Sequence, residues 1–410
     1  MHRTVQSAAW TLAALALFAA LGSIGCVSPA SPRVQDALDT GVVTFEPGTV
    51  PDALVDHLAP HRVVLLGETH YVQEHHELVL ELLERLHPHG LRWFAQEMSH
   101  SLGWIVEDYV LWQRDDYPNA VRPMDEHWIE GLRRLNRTLE PDDRIRFRYI
   151  DMNYALDGFT VSLWWMVRGT PAGQDIYQVV EQVLETRPGT EEYVHALDRL
   201  SGRLVEDADT LSQRLGTVWY ERLVELVEIE IRSLPIRAQH DVHSREQIMI
   251  DLSMRMIDAA NGETVGINVG MYHAQKRRYM GTRQQWLGEY LVEHAERFGG
   301  LDQLVSVAFF GFDGVRLRSF MDRDPEPVPP AIELPERNLM RQIAELTAAR
   351  DGAERPQSGA YLELSHPVFQ RSMPIAFTFS PLRAAPGRQF DAYVIFPEIT
   401  ILESLRRSWE

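Results

Sequence analysis

Cysteine and lysine are almost missing from this chain. One cysteine, Cys26, stands among 410 residues, so no internal disulfide can form. Of the 40 basic residues only Lys276 is a lysine, which argues against mechanisms that need a Walker-type or Schiff-base lysine elsewhere. Positive charge is short as well: 59 acidic residues leave a formal net charge of −19, and nucleic acid is excluded as a partner on that balance. Long apolar runs are absent beyond the first segment, where Ala8 to Leu21 is too short for a membrane span and reads as a secretory signal. The apolar fraction of 45% is nevertheless enough for a substantial core, and the length allows two or three compact units.

What is present begins with a leader and a tether. Residues 1–25 carry Arg3 as their only formal charge. The segment LGSIGC, ending at Cys26, resembles a bacterial lipoprotein cleavage box, with Gly25 in the small position and Ser23 where leucine is usual. That resemblance implies acylation of Cys26 and a membrane-lipid partner, tethering the chain without spanning the bilayer. Residues 26–50 are small, polar and proline-punctuated, the composition of a tether. The expected location is the cell envelope, outside the cytoplasm. The outer membrane is favoured because Val27 and Ser28 lack the aspartate linked to inner-membrane retention.

The folded body is expected over residues 51–320 and is organised around two strands. VVLLGETH, Val63 to His70, stops abruptly at polar groups; TVGINVGMYH, Thr264 to His273, repeats the pattern two hundred residues later. Both end in Gly-x-x-His. Between them, Gln73 to Leu86 has an apolar face of Leu78, Leu82, Leu83 and Leu86, which predicts a helix, and Leu91 to Ala95 predicts a strand closed by Gln96 and Glu97. Strand, helix, strand at this spacing is a βαβ unit with parallel strands. Arg144 to Ile150 predicts a further strand ending at Asp151, Leu304 to Phe310 another, and Val315 to Phe320 a continuation. Residues of about 157–240 show only amphipathic helical stretches, a helical insertion that would act as a cap or lid. Beyond a proline-rich joint near residue 321 lies a C-terminal extension to residue 410, in which Asp391 to Phe396 could add to the sheet edge. The fold class is α/β, a central mostly parallel sheet flanked by helices.

In such sheets ligands bind beyond the carboxyl ends of the strands, so the strand-end residues converge. Glu68, His70, Glu97, Asp151 and His273 form that set. Two imidazoles and several carboxylates can hold a divalent metal, with His70, Glu97 and His273 as ligands, or act as base and acid around a water, with Glu68 or Glu97 as the base. Either use points to hydrolysis of a small-molecule or peptide substrate. A lone histidine after a strand is more often a hydrogen-bonded structural residue; it is the coincidence of several strand ends that favours a site. His75 and His76 open the first helix, one of them expected to face solvent. His240 and His243 read as surface or capping residues.

LLGETHYVQEHHELVLELLERL followed by AQEM resembles the ChaN-like haem-uptake lipoproteins, and the two Gly-x-x-His strand ends resemble the Tiki and TraB group. Those families are grouped with the erythromycin esterases, echoed here by WIEGLRRLN at Trp128 to Asn136, by Asp151 and by Arg245 before a helix. The resemblance implies an erythromycin-esterase/ChaN-like fold with His70, Glu97 and His273 on motif positions. On the Tiki side it implies metal-dependent proteolysis, and on the esterase side a histidine and glutamate that activate water against an ester. The sequence departs from the esterases at Gly270, which stands where their segment begins with histidine, and in having one residue fewer between the glycine and histidine of the first motif. The ChaN-like side implies haem as an alternative cofactor, with Tyr71 and Tyr272 as candidate ligands.

Overall fold

The computed structural model describes residues 32–155, 157–278, 284–319, 322–377 and 380–409. The expected signal segment and the lipidation site Cys26 lie outside the described residues. Eight strands form the central sheet: β1 (Val42–Phe45), β2 (Val63–Glu68), β3 (Leu91–Ser99), β4 (Arg146–Asp151), β5 (Thr264–Gly270), β6 (Leu304–Gly311), β9 (Gly359–Glu363) and β12 (Ala392–Phe396). Their spatial order is β1-β9-β12-β6-β2-β5-β3-β4. The run from β12 to β4 is parallel throughout; β9 alone runs against the other seven strands, antiparallel to β12 on one side and β1 on the other. Two small pairs, β7 (Val315–Arg316) with β8 (Glu326–Pro327) and β10 (Met373–Phe377) with β11 (Ser380–Ala384), stand apart from the sheet.

Every residue of β2 is buried. That explains why its sequence is an uninterrupted apolar run with no alternation: helices cover both faces of a parallel sheet. Val64 and Leu66 enter one core layer, with the helix Gln73–Leu86 and its Leu78, Val79, Leu82, Leu83 and Leu86. Val63 and Leu65 enter the other, with the helix Val242–Ala259 and its Ile248, Met249, Leu252 and Met256. Each such side chain contributes roughly 1.5–3 kcal/mol on burial. These two layers fix β2 and β5 side by side, Gly67 opposite Val269 and Glu68 opposite Gly270, so the two Gly-x-x-His ends emerge together.

The expected helical insertion is present as Gly158–Gly169, Gly173–Leu184, Glu191–Glu206, Ala208–Leu215 and Thr217–Gln239. Three expectations are corrected. The tether region contains a helix, Pro32–Gly41, and the edge strand β1, whose register runs from Val42 opposite Leu362 to Phe45 opposite Gly359. The strand at Asp391 to Phe396 is interior: β12 is hydrogen-bonded to β6 on one side and β9 on the other, because the antiparallel β9 and β1 extend the sheet beyond it. Among the described residues of the expected Val315 to Phe320 strand, only the two-residue β7 is a strand, and it pairs with β8 outside the main sheet.

Candidate active site

Four strand ends deliver the centre. The β3–β4 register is irregular between Gln96 and Ser99, a local bulge, and Glu97 lies at that irregularity. Gly270 makes room for the centre: a Cβ built there would lie 2.7 Å from His70 Nε2, 3.0 Å from its Cε1 and 3.4 Å from Glu97 Oε2. Gly67 is tight in a different way, its virtual Cβ falling 3.0 Å from the Ala274 Cβ and 3.1 Å from the Met271 Cα. Both glycines are therefore required for close packing.

His70 is held from one side. Its Nδ1 is 3.0 Å from Glu68 Oε1, and Nε2 is 3.7 Å from Glu97 Oε2, beyond direct hydrogen-bond reach. With Nδ1–H donated to Glu68, the neutral ring carries its lone pair on Nε2. The ring is 40% exposed, whereas Glu68 beneath it is 2% exposed. Glu68 also accepts from Asn268 Nδ2 at 2.8 Å, and Asn268 in turn donates to Gln96 Oε1 at 2.7 Å. Burial alone would raise the Glu68 carboxyl, but the His70 hydrogen bond, with the His76 and His70 rings close by, brings it below the ordinary value. For His70 burial works downward and is outweighed by Glu97 and Glu68, so the imidazole titrates above 6.5.

His273 is held from both sides. Nδ1 is 2.7 Å from Glu246 Oε2, and Nε2 is 3.4 Å from Glu97 Oε1. The ring is 8% exposed and Glu246 fully buried. Burial would depress this imidazole, yet Glu246 and Glu97 together push it up to about 10. At neutral pH it is an imidazolium. Glu246 is itself fixed by the Leu287 N–H at 2.6 Å.

Glu97 is the hub. It accepts from the Gly270 N–H at 2.7 Å and from Arg245 Nη2. Burial opposes its ionisation, but His273, His70 and Arg245 hold it well below the usual carboxylate range. Arg245 also grips Asp151, from Nε to both carboxylate oxygens at 3.1 Å and from Nη2 at 2.6 Å, and Tyr154 donates its hydroxyl to the same carboxylate. Burial keeps the Asp151 carboxyl above its ordinary value even so.

The structure brings Glu68, His70, Glu97 and His273 into one centre, and joins Asp151 to it through Arg245. Glu246, Asn268 and Tyr154 are further members that the sequence does not single out; the one local signal is the pair Arg245-Glu246 near the start of a helix whose N-cap, Asp241, accepts from the His243 and Ser244 N–H groups. The reading of His75 and His76 is corrected, since both are buried. His75 Nδ1 contacts the Thr69 backbone, N at 3.2 Å and O at 3.3 Å, while His76 Nε2 lies 3.7 Å from Glu68 Oε2. Burial pushes both rings down to about 4, so they are neutral. His240 and His243 are exposed beside the N-cap, as expected of surface residues.

The donor set does not suit a divalent metal. His273 is engaged at both nitrogens and protonated, Arg245 lies on Glu97, and among the described residues no group of three His, Cys, Asp or Glu has a metal-holding arrangement. A metal ligand must be a neutral imidazole or a free carboxylate. The candidate haem ligands sit at the rim: Tyr272 is 41% exposed with its ring 5.9 Å from that of Trp286, while Tyr71 packs against the cluster of Leu317, Ile401, Leu402 and Leu405. A cavity of about 650 Å³, lined by Glu74, Glu77, Leu78, Phe312, Phe396 and Thr400 among others, contains none of the catalytic candidates.

No family model matches the chain, and no curated protein matches it. Among solved structures, a protein described as a succinoglycan biosynthesis protein superposes with a TM-score of 0.65 at 14% identity, covering 90% of this chain and 98% of that one. A Bacillus cereus protein gives 0.66 at 13% identity with the same coverage. A mutant of the erythromycin esterase EreC in its open conformation gives 0.59 at 14% identity over 88% of this chain and 98% of that one. The haem-binding ChaN of Campylobacter jejuni aligns over 66% of this chain at a TM-score of 0.28, too low to carry an argument. At these identities the likeness is one of fold: the chain shares the α/β architecture of the first three of these proteins.

Proposed function

We propose that the protein is a hydrolase that activates water without a metal, acting on an ester or other acyl bond. The observation that carries this reading is the unequal treatment of the two histidines around Glu97. His70, with Nδ1 tied to Glu68 and Nε2 beyond hydrogen-bond reach of Glu97, keeps a basic nitrogen on a partly exposed ring; His273, tied at both nitrogens, is a fixed cation. His70 Nε2 takes a proton from water while the water oxygen adds to the acyl carbon. His273 and Arg245 supply positive potential where the carbonyl oxygen becomes negative. As the tetrahedral species collapses, the proton on His70 passes to the leaving oxygen, which restores the base. The shared fold with an erythromycin esterase supports this class of reaction, and the helical insertion would shape access to it.

The test is hydrolysis of ester and peptide panels by purified protein alongside His70→Ala and Glu97→Ala. Variants that match wild type on every substrate would overturn the reading. The second reading, haem binding, rests on the exposed Tyr272 ring at the rim. A Soret band on haem titration that disappears in Tyr272→Phe or Tyr71→Phe would replace the hydrolase. Tethering through an acylated Cys26 belongs to the same proposal, and the mass of the N-terminal peptide from envelope-derived protein tests it.

A further inference from the structure

We propose that residues 400–403 form a clasp that positions His70, with Thr400 and Glu74 as positioning residues of the site; this rests on the reading of His70 as the base. Tyr71, next to the base, has φ of 67°. A bulky L-residue keeps that left-handed conformation only where its surroundings over-determine it. Those surroundings come from the far end of the sequence. The Leu402 N–H donates to Tyr71 O at 2.9 Å, Val72 is bridged to Ile401, and the Gln73 N–H donates to Thr400 O at 2.9 Å. The Glu74 carboxylate receives both the Thr400 N–H and its hydroxyl, each at 2.7 Å, and Gln73 Oε1 receives the Glu403 N–H at 3.1 Å.

The clasp is itself anchored at two ends. On one side β12 holds residue 396 in the sheet, and the Ile399 N–H donates to Asp313 O at 3.0 Å. On the other, the short helix Glu403–Arg407 meets the helix Arg122–Arg137, where Ser404 Oγ donates to Pro123 O at 2.9 Å and Arg407 pairs with Glu126 at 3.0 Å. A segment pinned at both ends is a rigid support. The left-handed turn it enforces at Tyr71 ends β2 abruptly, with the His70 ring returned to Glu68 two residues earlier.

Glu74→Ala removes both Thr400 bonds, Thr400→Val removes one, and Thr400→Ser keeps both. Three readouts are taken on each: hydrogen exchange over residues 68–74, the His70 ring signal in protein labelled with ¹³C-histidine, and kcat against KM on p-nitrophenyl acetate. For Glu74→Ala the expected result is exchange at least ten-fold faster over 68–74 with residues 264–275 unchanged, a broadened or doubled His70 signal, and kcat lower by about ten-fold at constant KM. Thr400→Val should fall between, and Thr400→Ser should match wild type. A folded Glu74→Ala protein with a single wild-type His70 signal overturns the clasp, whatever its turnover. Should wild type fail to hydrolyse any ester, the proposed reaction falls, while the exchange and ring signals still decide whether the clasp positions His70.

Discussion

The two histidines at the ends of β2 and β5 have the same sequence setting and unequal electrostatics. His70 is 40% exposed, with Glu68 at 3.0 Å from Nδ1 and Glu97 no nearer than 3.7 Å; His273 is 8% exposed and is flanked by Glu246 at 2.7 Å and Glu97 at 3.4 Å. The first is raised above 6.5 by Glu97 and Glu68, and the second is pushed up to about 10 by Glu246 and Glu97. A Gly-x-x-His strand end therefore delivers an imidazole to the crevice without setting its charge. What sets the charge is the set of carboxylates around it: Glu97 and Glu68 for His70, and Glu246 from a separate helix together with Glu97 for His273.

The comparison is broken most severely by removing the exposed member. His70→Ala is expected to lower kcat/KM by about 10²–10⁴-fold, the contribution of a positioned general base. The melting temperature should fall only modestly, because the ring is partly exposed, although buried Glu68 loses its Nδ1 partner and Glu97 a neighbouring imidazole. In the wild type the acid limb of the pH–rate profile should lie above 6.5, since His70 must lose its proton to work and its pKa is raised. A limb at or below 6.5 would contradict the Glu68 and Glu97 arrangement.

The buried member is tested through Glu246→Gln. His273 bears a proton in the active form, so the wild-type alkaline limb should fall near 10 and move to lower pH in the variant. Stability follows the same sign. A histidine with a raised folded-state pKa stabilises the fold fully below its unfolded value near 6.5, and that contribution is lost as pH rises through about 10. Breaking the buried pair should cost on the order of 3–5 kcal/mol at pH 7, read by denaturant unfolding. An unchanged alkaline limb would show that His273 does not act as the cation.

Gly270→Ala sharpens the comparison sterically. The added methyl would meet the His70 ring and leave the Glu246 side of His273 alone, so kcat should drop by roughly ten-fold with the alkaline limb unmoved. The smallest effect is expected from chelation: because Arg245 and a protonated His273 crowd Glu97, prolonged treatment with EDTA should change turnover by less than about two-fold.

The strand ends were legible because a strand buried on both faces is written as an unbroken apolar run, and the run's polar stop marks the carboxyl end. Glu68, His70, Glu97, Asp151 and His273 could all be found that way. Glu246 could not, for it reaches His273 from a helix, and only the packing of Val242–Ala259 onto β4 and β5 brings the two together. Asn268 was hidden inside a run read as core. Residues 32–45 were misread because the four residues of β1 are too few to show alternation amid prolines and small polar residues. The interior place of β12 depends on an antiparallel neighbour that the expected parallel pattern does not announce.

The sheet order has a consequence for biogenesis. β12 is inserted between β6 and β9, and Glu74 meets Thr400, 326 positions further along the chain. During synthesis or translocation the segment bearing His70 must wait for those later residues before its final contacts can close. Contacts of such long range are slow to form. A newly made chain would accordingly complete the turn at His70 late, after its two core layers have begun to pack.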